Sequence, residues 1–151
     1  MRQKKKKIFP PTIFFMLAVV SIILCLILPD MRVIIFPFNL IGVIPILFGI
    51  ILNIWTDEYF KIYDTTVKPD EVPSSLIKSG PFAISRHPMY LGMIMILFGE
   101  SILLGSLVTF VIPIVFFLFI ELFFIPLEEK NLLYCFKDDY LSYKKKVRRW
   151  I

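Results

Sequence analysis

Charge is scarce in this chain. Only 19% of its 151 residues are charged, and long stretches carry no charge at all, whereas hydrophobic residues make up 58%. Soluble domains sit near ~45–50% apolar, so a mean hydropathy of +0.79 excludes a soluble fold of this size. Apolar runs of that length also exclude a disordered chain, and they exclude a DNA-binding module despite the formal charge of +5. Cysteine is limited to Cys25, in an apolar run, and Cys135, in a polar tail. The two fall at opposite ends of the expected molecule, so a disulfide framework is not expected. None of the six glycines forms a Gly-x-Gly, which removes the dinucleotide-type cofactor site of soluble enzymes. No metal site is expected. Nor do the apolar runs alternate in polarity at every second residue, so a closed barrel is excluded as the way of satisfying the backbone in lipid.

Four runs remain, Phe9 to Leu28, Val33 to Trp55, Pro88 to Leu104 and Leu107 to Leu127. A helix needs ~20 residues to cross ~30 Å of hydrocarbon, which the first, second and fourth satisfy and the third approaches. The first follows a basic leader, but it exceeds the ~7–15 residues of a signal peptide's apolar core and ends at Pro29-Asp30, so it is a retained span. The expectation is an all-α integral membrane protein with four transmembrane helices in two hairpins. It forms one domain over residues 1–151, with a loop over 56–87 and a tail over 128–151. Arg32 is the single basic residue on one side of this arrangement, and the other 16 Lys and Arg fall on the opposite side. That bias predicts cytoplasmic termini and a cytoplasmic loop. Function then belongs to the inner face, because the turns Asp30-Met31-Arg32 and Gly105-Ser106 leave almost nothing outside. In the tail, Leu132, Leu133, Phe136, Tyr140, Tyr143, Val147 and Trp150 recur at helical spacing. Together with Lys137, Lys144, Lys145, Lys146, Arg148 and Arg149 they predict an interfacial helix held by anionic headgroups.

The loop carries the chemistry. Gly80-Pro81 marks a turn, and Pro88 suits the first turn of the third helix, which places His87, the chain's only histidine, at its N-cap with Arg86 before it. Free N–H groups and the helix dipole favour an anionic ligand group there. Each residue also has a simpler reading: His87 as a helix cap, Glu128-Glu129 as a solvated boundary, Arg86 as a topology anchor. Two acids fall inside spans. Glu100 lies near the outer end, where it reaches interfacial water. Glu121 lies deeper, ~15 Å from Glu100 and level with Tyr90 if both helices are straight. Seven residues separate Glu121 from Glu128, which predicts one shared helix face toward Tyr90. Glu121 is thus the candidate to orient that tyrosine or take a proton from an acceptor, with structural hydrogen bonding as the alternative.

The loop reads Gly80-Pro81-Phe82 and then Arg86-His87-Pro88-Met89-Tyr90-Leu91-Gly92. After the last span come Glu128-Glu129 and Phe136-Lys137-Asp138-Asp139-Tyr140-Leu141-Ser142-Tyr143-Lys144-Lys145. With both elements in this order, the chain resembles the isoprenylcysteine carboxyl methyltransferase and phospholipid N-methyltransferase superfamily of membrane enzymes. The resemblance implies S-adenosylmethionine bound at the cytoplasmic face and methyl transfer to a lipophilic or lipid acceptor arriving from the bilayer. It implies Phe82, His87, Pro88, Met89, Tyr90, Glu128 and Glu129 as cofactor contacts, with Leu76 and Ile77 lining the pocket. Donors, carboxylates and aromatic walls are what a ligand with an ammonium, a carboxylate, a diol and a flat base requires. Two positions depart from the family pattern. Phe124 stands where the prenylcysteine enzymes carry an Arg that holds the substrate carboxylate, which points instead to an amine or lipid headgroup as acceptor. Lys137 replaces a glycine. Arg86 and Phe124 are the candidate acceptor contacts, and no nucleic acid partner is expected. A membrane reductase using NADPH and a non-enzymatic four-helix protein are the competing readings. The first lacks an added basic cluster for a 2′-phosphate, the second lacks functional residues at the bilayer midplane.

Overall fold

The computed structural model describes residues 9–65 and 73–151, which contain helices and no strand. The basic leader and Lys68 lie outside the described residues. Helix α1 spans Pro10–Ile27 and opens on two prolines, whose missing N–H groups a helix start does not use. A 3₁₀ turn over Phe38–Gly42 leads into α2, Val43–Ile62. This second helix therefore starts later than its apolar run and continues past Trp55 through residues expected in the loop. Its extra turns are supported by an exposed Asp57–Lys61 pair at 2.6 Å, one helical turn apart. Helix α3, Pro88–Leu104, has the expected bounds. At 17 residues it is about 26 Å long.

The fourth span begins with a 3₁₀ turn over Leu107–Phe110 and continues as α4, Val111–Phe119. One π-helical turn over Ile120–Phe124 follows, and α5 then runs over Ile125–Lys146. Pro126 offers no N–H to the turn before it, and the helix widens there instead of breaking. Span and tail are thus one continuous helical segment, and the expected boundary after Leu127 does not exist. The break comes ten residues later, at Lys137 (φ 42°, ψ −115°). Among the described residues, three helical stretches, Pro10–Ile27, Phe38–Ile62 and Leu107–Lys146, are long and apolar enough to cross a membrane. Largely exposed side chains such as Phe15, Ile44, Ile51 and Leu122 supply the outward apolar surface that a lipid environment covers.

Packing begins with α2 against α3. Gly42 meets Gly99 and Gly49 meets Gly92, so closely that a Cβ on Gly49 would collide with the Gly92 carbonyl oxygen. Small residues let membrane helices approach to backbone contact. Helix α1 packs on α3 and α4 through Ile13, Phe14, Met93, Leu97, Ile112 and Phe116, with the Phe14 and Phe116 rings edge-on at 6.1 Å. At the end that holds the two short turns, the hairpins are tied by Val33 N–H to Gly105 O (2.8 Å) and Asn39 Nδ2 to Leu103 O (2.9 Å).

A second cluster caps the other end. Leu132, Phe136, Tyr140, Tyr143 and Val147 of the tail pack with Ile77, Phe82 and Leu76 of the loop and with Tyr59 and Phe60 of α2. Much of the tail's apolar stripe is therefore buried against protein. Leu133, expected on that stripe, is exposed.

Lys137 holds a backbone conformation that costs an L-residue on the order of 1–3 kcal/mol. Its side chain is exposed. Lys137→Gly removes the strain at an entropic cost of roughly 0.5–1 kcal/mol. Thermal unfolding in detergent should therefore show a variant more stable by about 1 kcal/mol. A lower melting temperature would contradict this account of the bend.

Candidate active site

The loop is built so that its chemistry faces inward. Gly80–Ala83 forms a 3₁₀ turn, and the Tyr143 hydroxyl donates to the Phe82 carbonyl at 2.6 Å, fastening the turn to α5. The Ser85 hydroxyl accepts the His87 N–H (3.2 Å) and donates to the Arg149 carbonyl (3.0 Å). His87 occupies the N-cap of α3, as expected, but its ring does not cap the helix. The ring stacks on Tyr90 with centroids 5.9 Å apart and planes at 16°. Its side chain is 1% exposed.

Two carboxylates of α5 face that ring. His87 Nδ1 lies 3.5 Å from Glu128 Oε2, and Nε2 lies 3.7 Å from Glu129 Oε1. Those are ion-pairing distances and exceed hydrogen-bond length, so both ring nitrogens and Glu128 Oε2 are buried without a hydrogen-bond partner. Glu129 is fully engaged. Arg86 Nη1 reaches Oε1 at 2.7 Å, Lys144 Nζ reaches Oε2 at 3.2 Å, and Arg149 forks onto both oxygens at 3.1 Å. Arg86 also donates to the Tyr140 hydroxyl at 3.1 Å.

The electrostatics follow from these contacts. Burial alone would lower the pKa of His87, but the Glu128 and then the Glu129 carboxylates more than offset it and hold His87 above its ordinary value. Burial would raise Glu129, yet His87, Arg149, Arg86 and Lys144 together hold it well below the carboxylate range.

A narrow, partly open cavity lies here, lined by Thr56, Phe60, Phe82, Arg86, His87, Pro88, Met89, Tyr90 and Glu128. Seven of the residues expected at the site thus line one cavity. The others stand apart from its lining. Leu76 and Ile77 belong to the capping cluster behind Phe82. Glu129 sits behind Arg86 as the ion-pair centre. Phe124 packs against the α1–α3–α4 core, its ring 5.7 Å from Phe119.

Glu121 does not fill the expected place beside Tyr90, a position that Glu128 takes instead. Its carboxylate accepts from Arg149 Nη1 and from Trp150 Nε1, the latter at 3.0 Å. The π turn that contains Glu121 breaks the seven-residue register with Glu128. Sequence reasoning missed Thr56 and Phe60, whose i, i+4 spacing would have marked them had α2 been drawn long enough. It also missed Arg149, for which the local sequence carries no signal beyond charge.

The model of the phospholipid methyltransferase family matches residues 38–139, from the start of the second span to the middle of α5. The chain belongs to the phospholipid methyltransferase family. An uncharacterised protein of Haemophilus influenzae is 41% identical over 63 residues, 42% of this chain and the whole of that protein. The protein-S-isoprenylcysteine O-methyltransferase of Saccharomyces cerevisiae is 36% identical over 93 residues, 60% of this chain and 36% of the yeast enzyme. The matched segment contains the cavity and excludes α1 and residues 140–151. This chain is thus a member of the membrane methyltransferases, and its cavity lies where the matched helices meet.

The raised pKa of His87 has a consequence for this family member's stability. A histidine whose folded pKa exceeds its unfolded value contributes stability that is complete below the unfolded value and is lost as pH rises through the folded one. Melting temperature in detergent should therefore fall as pH rises from about 6 through neutrality, and His87→Gln should flatten that part of the profile. An unchanged slope in His87→Gln would overturn the assignment.

Proposed function

We propose that the chain transfers a methyl group from S-adenosylmethionine to a lipophilic acceptor carrying an amine or lipid headgroup, with the cavity at the cytoplasmic face of the membrane. The observation that carries this reading is the set of buried polar atoms without partners, His87 Nδ1 and Nε2 and Glu128 Oε2, on the wall of a cavity. An unsatisfied buried polar atom costs ~1–3 kcal/mol, a cost that a polar ligand would relieve. The residues present fit the cofactor. His87 and Arg86 are donors, Glu128 is an acceptor for an ammonium or a diol, and Phe60, Phe82, Met89 and Tyr90 are apolar and aromatic walls. When bound, S-adenosylmethionine supplies an electrophilic methyl group on a sulfonium.

The protein's part is then to hold and orient. Glu128 and the His87 imidazole fix the polar end, Phe82 and Tyr90 exclude water, and Glu129 keeps Arg86 in place. Holding the acceptor's lone pair near the methyl at about 3–3.5 Å accounts for much of the acceleration such a reaction needs. For the acceptor, the decisive feature is a missing charge. Among the described residues the cavity's guanidinium, Arg86, is already paired with Glu129 through Nη1, and Phe124, at the position where the resemblance implies a carboxylate-holding arginine, packs in the core and brings no charge to the cavity. A neutral amine needs no such clamp. The excess of Lys and Arg on one side of the spans supports the cytoplasmic placement.

Titration of detergent-purified protein with S-adenosylhomocysteine should show binding that His87→Ala and Glu128→Ala each weaken at least tenfold, ~1.4 kcal/mol. Wild-type affinity in both variants would overturn the cofactor site. With labelled cofactor and both acceptors present, label should pass to phosphatidylethanolamine in preference to a prenylcysteine analogue. Efficient ester formation on the prenylcysteine would sink the acceptor assignment.

A further inference from the structure

Among the described residues, Arg149 is the side chain that touches both the ion-pair centre and the π turn. After Lys146 the helix ends, the backbone becomes extended at Val147 (φ −118°, ψ 129°), and residues 147–151 run back along the loop. Two hydrogen bonds hold them there, Arg86 N–H to Arg148 O (3.2 Å) and Ser85 Oγ to Arg149 O (3.0 Å). From this strap Arg149 extends all three guanidinium nitrogens to carboxylates: Nε and Nη2 to the two oxygens of Glu129, Nη1 to Glu121. Trp150 adds its indole N–H to Glu121 and lays its ring on Phe117 at 5.0 Å. Arg149 and Trp150 do not line the cavity, and both lie outside the segment matched to the family.

We propose that Arg149 is a positioning residue for the cofactor site. The proposal rests on the reading of the cavity given above. Glu129 Oε1 is the atom that faces His87 Nε2, and it is shared by Arg86 and Arg149. The fork from Arg149 fixes the plane of that carboxylate and takes up part of its charge, so it sets how strongly Glu129 acts on His87. The titratable and charged groups around the imidazole are Arg86 beside it in the loop, Tyr90 on α3, and Glu128 and Glu129 on α5. The α2 residues at the cavity, Thr56 and Phe60, do not titrate in this range. Removing the Arg149 cation leaves more of the Glu129 charge to the imidazolium and raises the pH at which His87 loses its proton. A lysine at 149 restores a charge but cannot restore a two-point fork. Glu121 serves this arrangement as the strap's second anchor, a carboxylate neutralised inside the span by the same guanidinium.

The chain has two tryptophans, so a Trp55→Phe background makes Trp150 the sole reporter of strap docking. In that background S-adenosylhomocysteine affinity and its pH profile are measured by calorimetry alongside tryptophan emission for Arg149→Gln, Arg149→Lys and Glu121→Gln. For Arg149→Gln the expected result is red-shifted emission, affinity reduced at least about fivefold and a pH midpoint displaced upward by about half a unit or more. That direction holds whichever protonation state of His87 binds. Arg149→Lys should recover emission more than it recovers affinity. Glu121→Gln should red-shift emission while leaving the midpoint in place, because the fork on Glu129 persists. If Arg149→Gln does not fold, Arg149→Lys carries the test, and full recovery of both affinity and midpoint by lysine would overturn the positioning role. Unchanged affinity and midpoint in Arg149→Gln would overturn the positioning role, and so would an affinity loss with no movement of the midpoint. If the Trp55→Phe protein with Arg149 intact binds no S-adenosylhomocysteine at any pH, the reading of the cavity fails and takes this role with it. Emission still reports in that case whether the strap was docked, which tells the two failures apart.

Discussion

One buried carboxylate organises the polar end of this molecule. Glu129 draws Arg86 from the loop, Lys144 from the far half of α5 and Arg149 from the strap, while facing His87 at the start of α3. A buried charge is tolerated only when it is paired and hydrogen-bonded, and removing one partner from such a set typically costs several kcal/mol, ~3–5. Segments that are distant in sequence are therefore held in register by a single side chain. The aromatic contacts of Tyr140 and Tyr143 close around an arrangement that the ions have already specified.

The cavity exists because two apolar clusters stop short of each other. Below it lies the core of α1, α3 and α4, which ends at Tyr90, Ile120 and Ile125. Above it lies the cap formed by loop, α2 end and tail, which begins at Phe82. Between them the chain places Arg86, His87 and Glu128, groups too polar for either cluster. The membrane boundary is where such a junction costs least, because water is near enough to solvate one side.

Much of this was legible in the sequence wherever a local signal existed. Pro88 fixes the start of α3 through its missing N–H, and the span it opens has the bounds that the apolar run predicts. The inward cluster of Phe82, His87, Tyr90 and Glu128 follows from the paired motifs. Features that depend on contacts remote in sequence stayed hidden. Depth counting placed Glu121 beside Tyr90 because it assumes 3.6 residues per turn throughout, and one π turn before Pro126 rotates everything after it. The apolar run ends at Trp55 because charge begins there. In the structure those charges point outward, and Thr56, Tyr59 and Phe60 continue the buried face. Spacing by threes and fours could not separate Leu132, which is packed, from Leu133, which is exposed.

The glycine contacts between α2 and α3 decide which part of the site is able to move. Backbones that touch at Gly42 with Gly99 and at Gly49 with Gly92 cannot slide or separate without losing their closest packing. The wall carrying Thr56, Phe60 and Pro88–Tyr90 is therefore a fixed jaw. The opposite side, made of the loop turn and Glu128 of α5, is held by ion pairs and buried tyrosine hydroxyls. The two walls of this cavity are accordingly unequal, one locked backbone to backbone and the other held mainly through side chains.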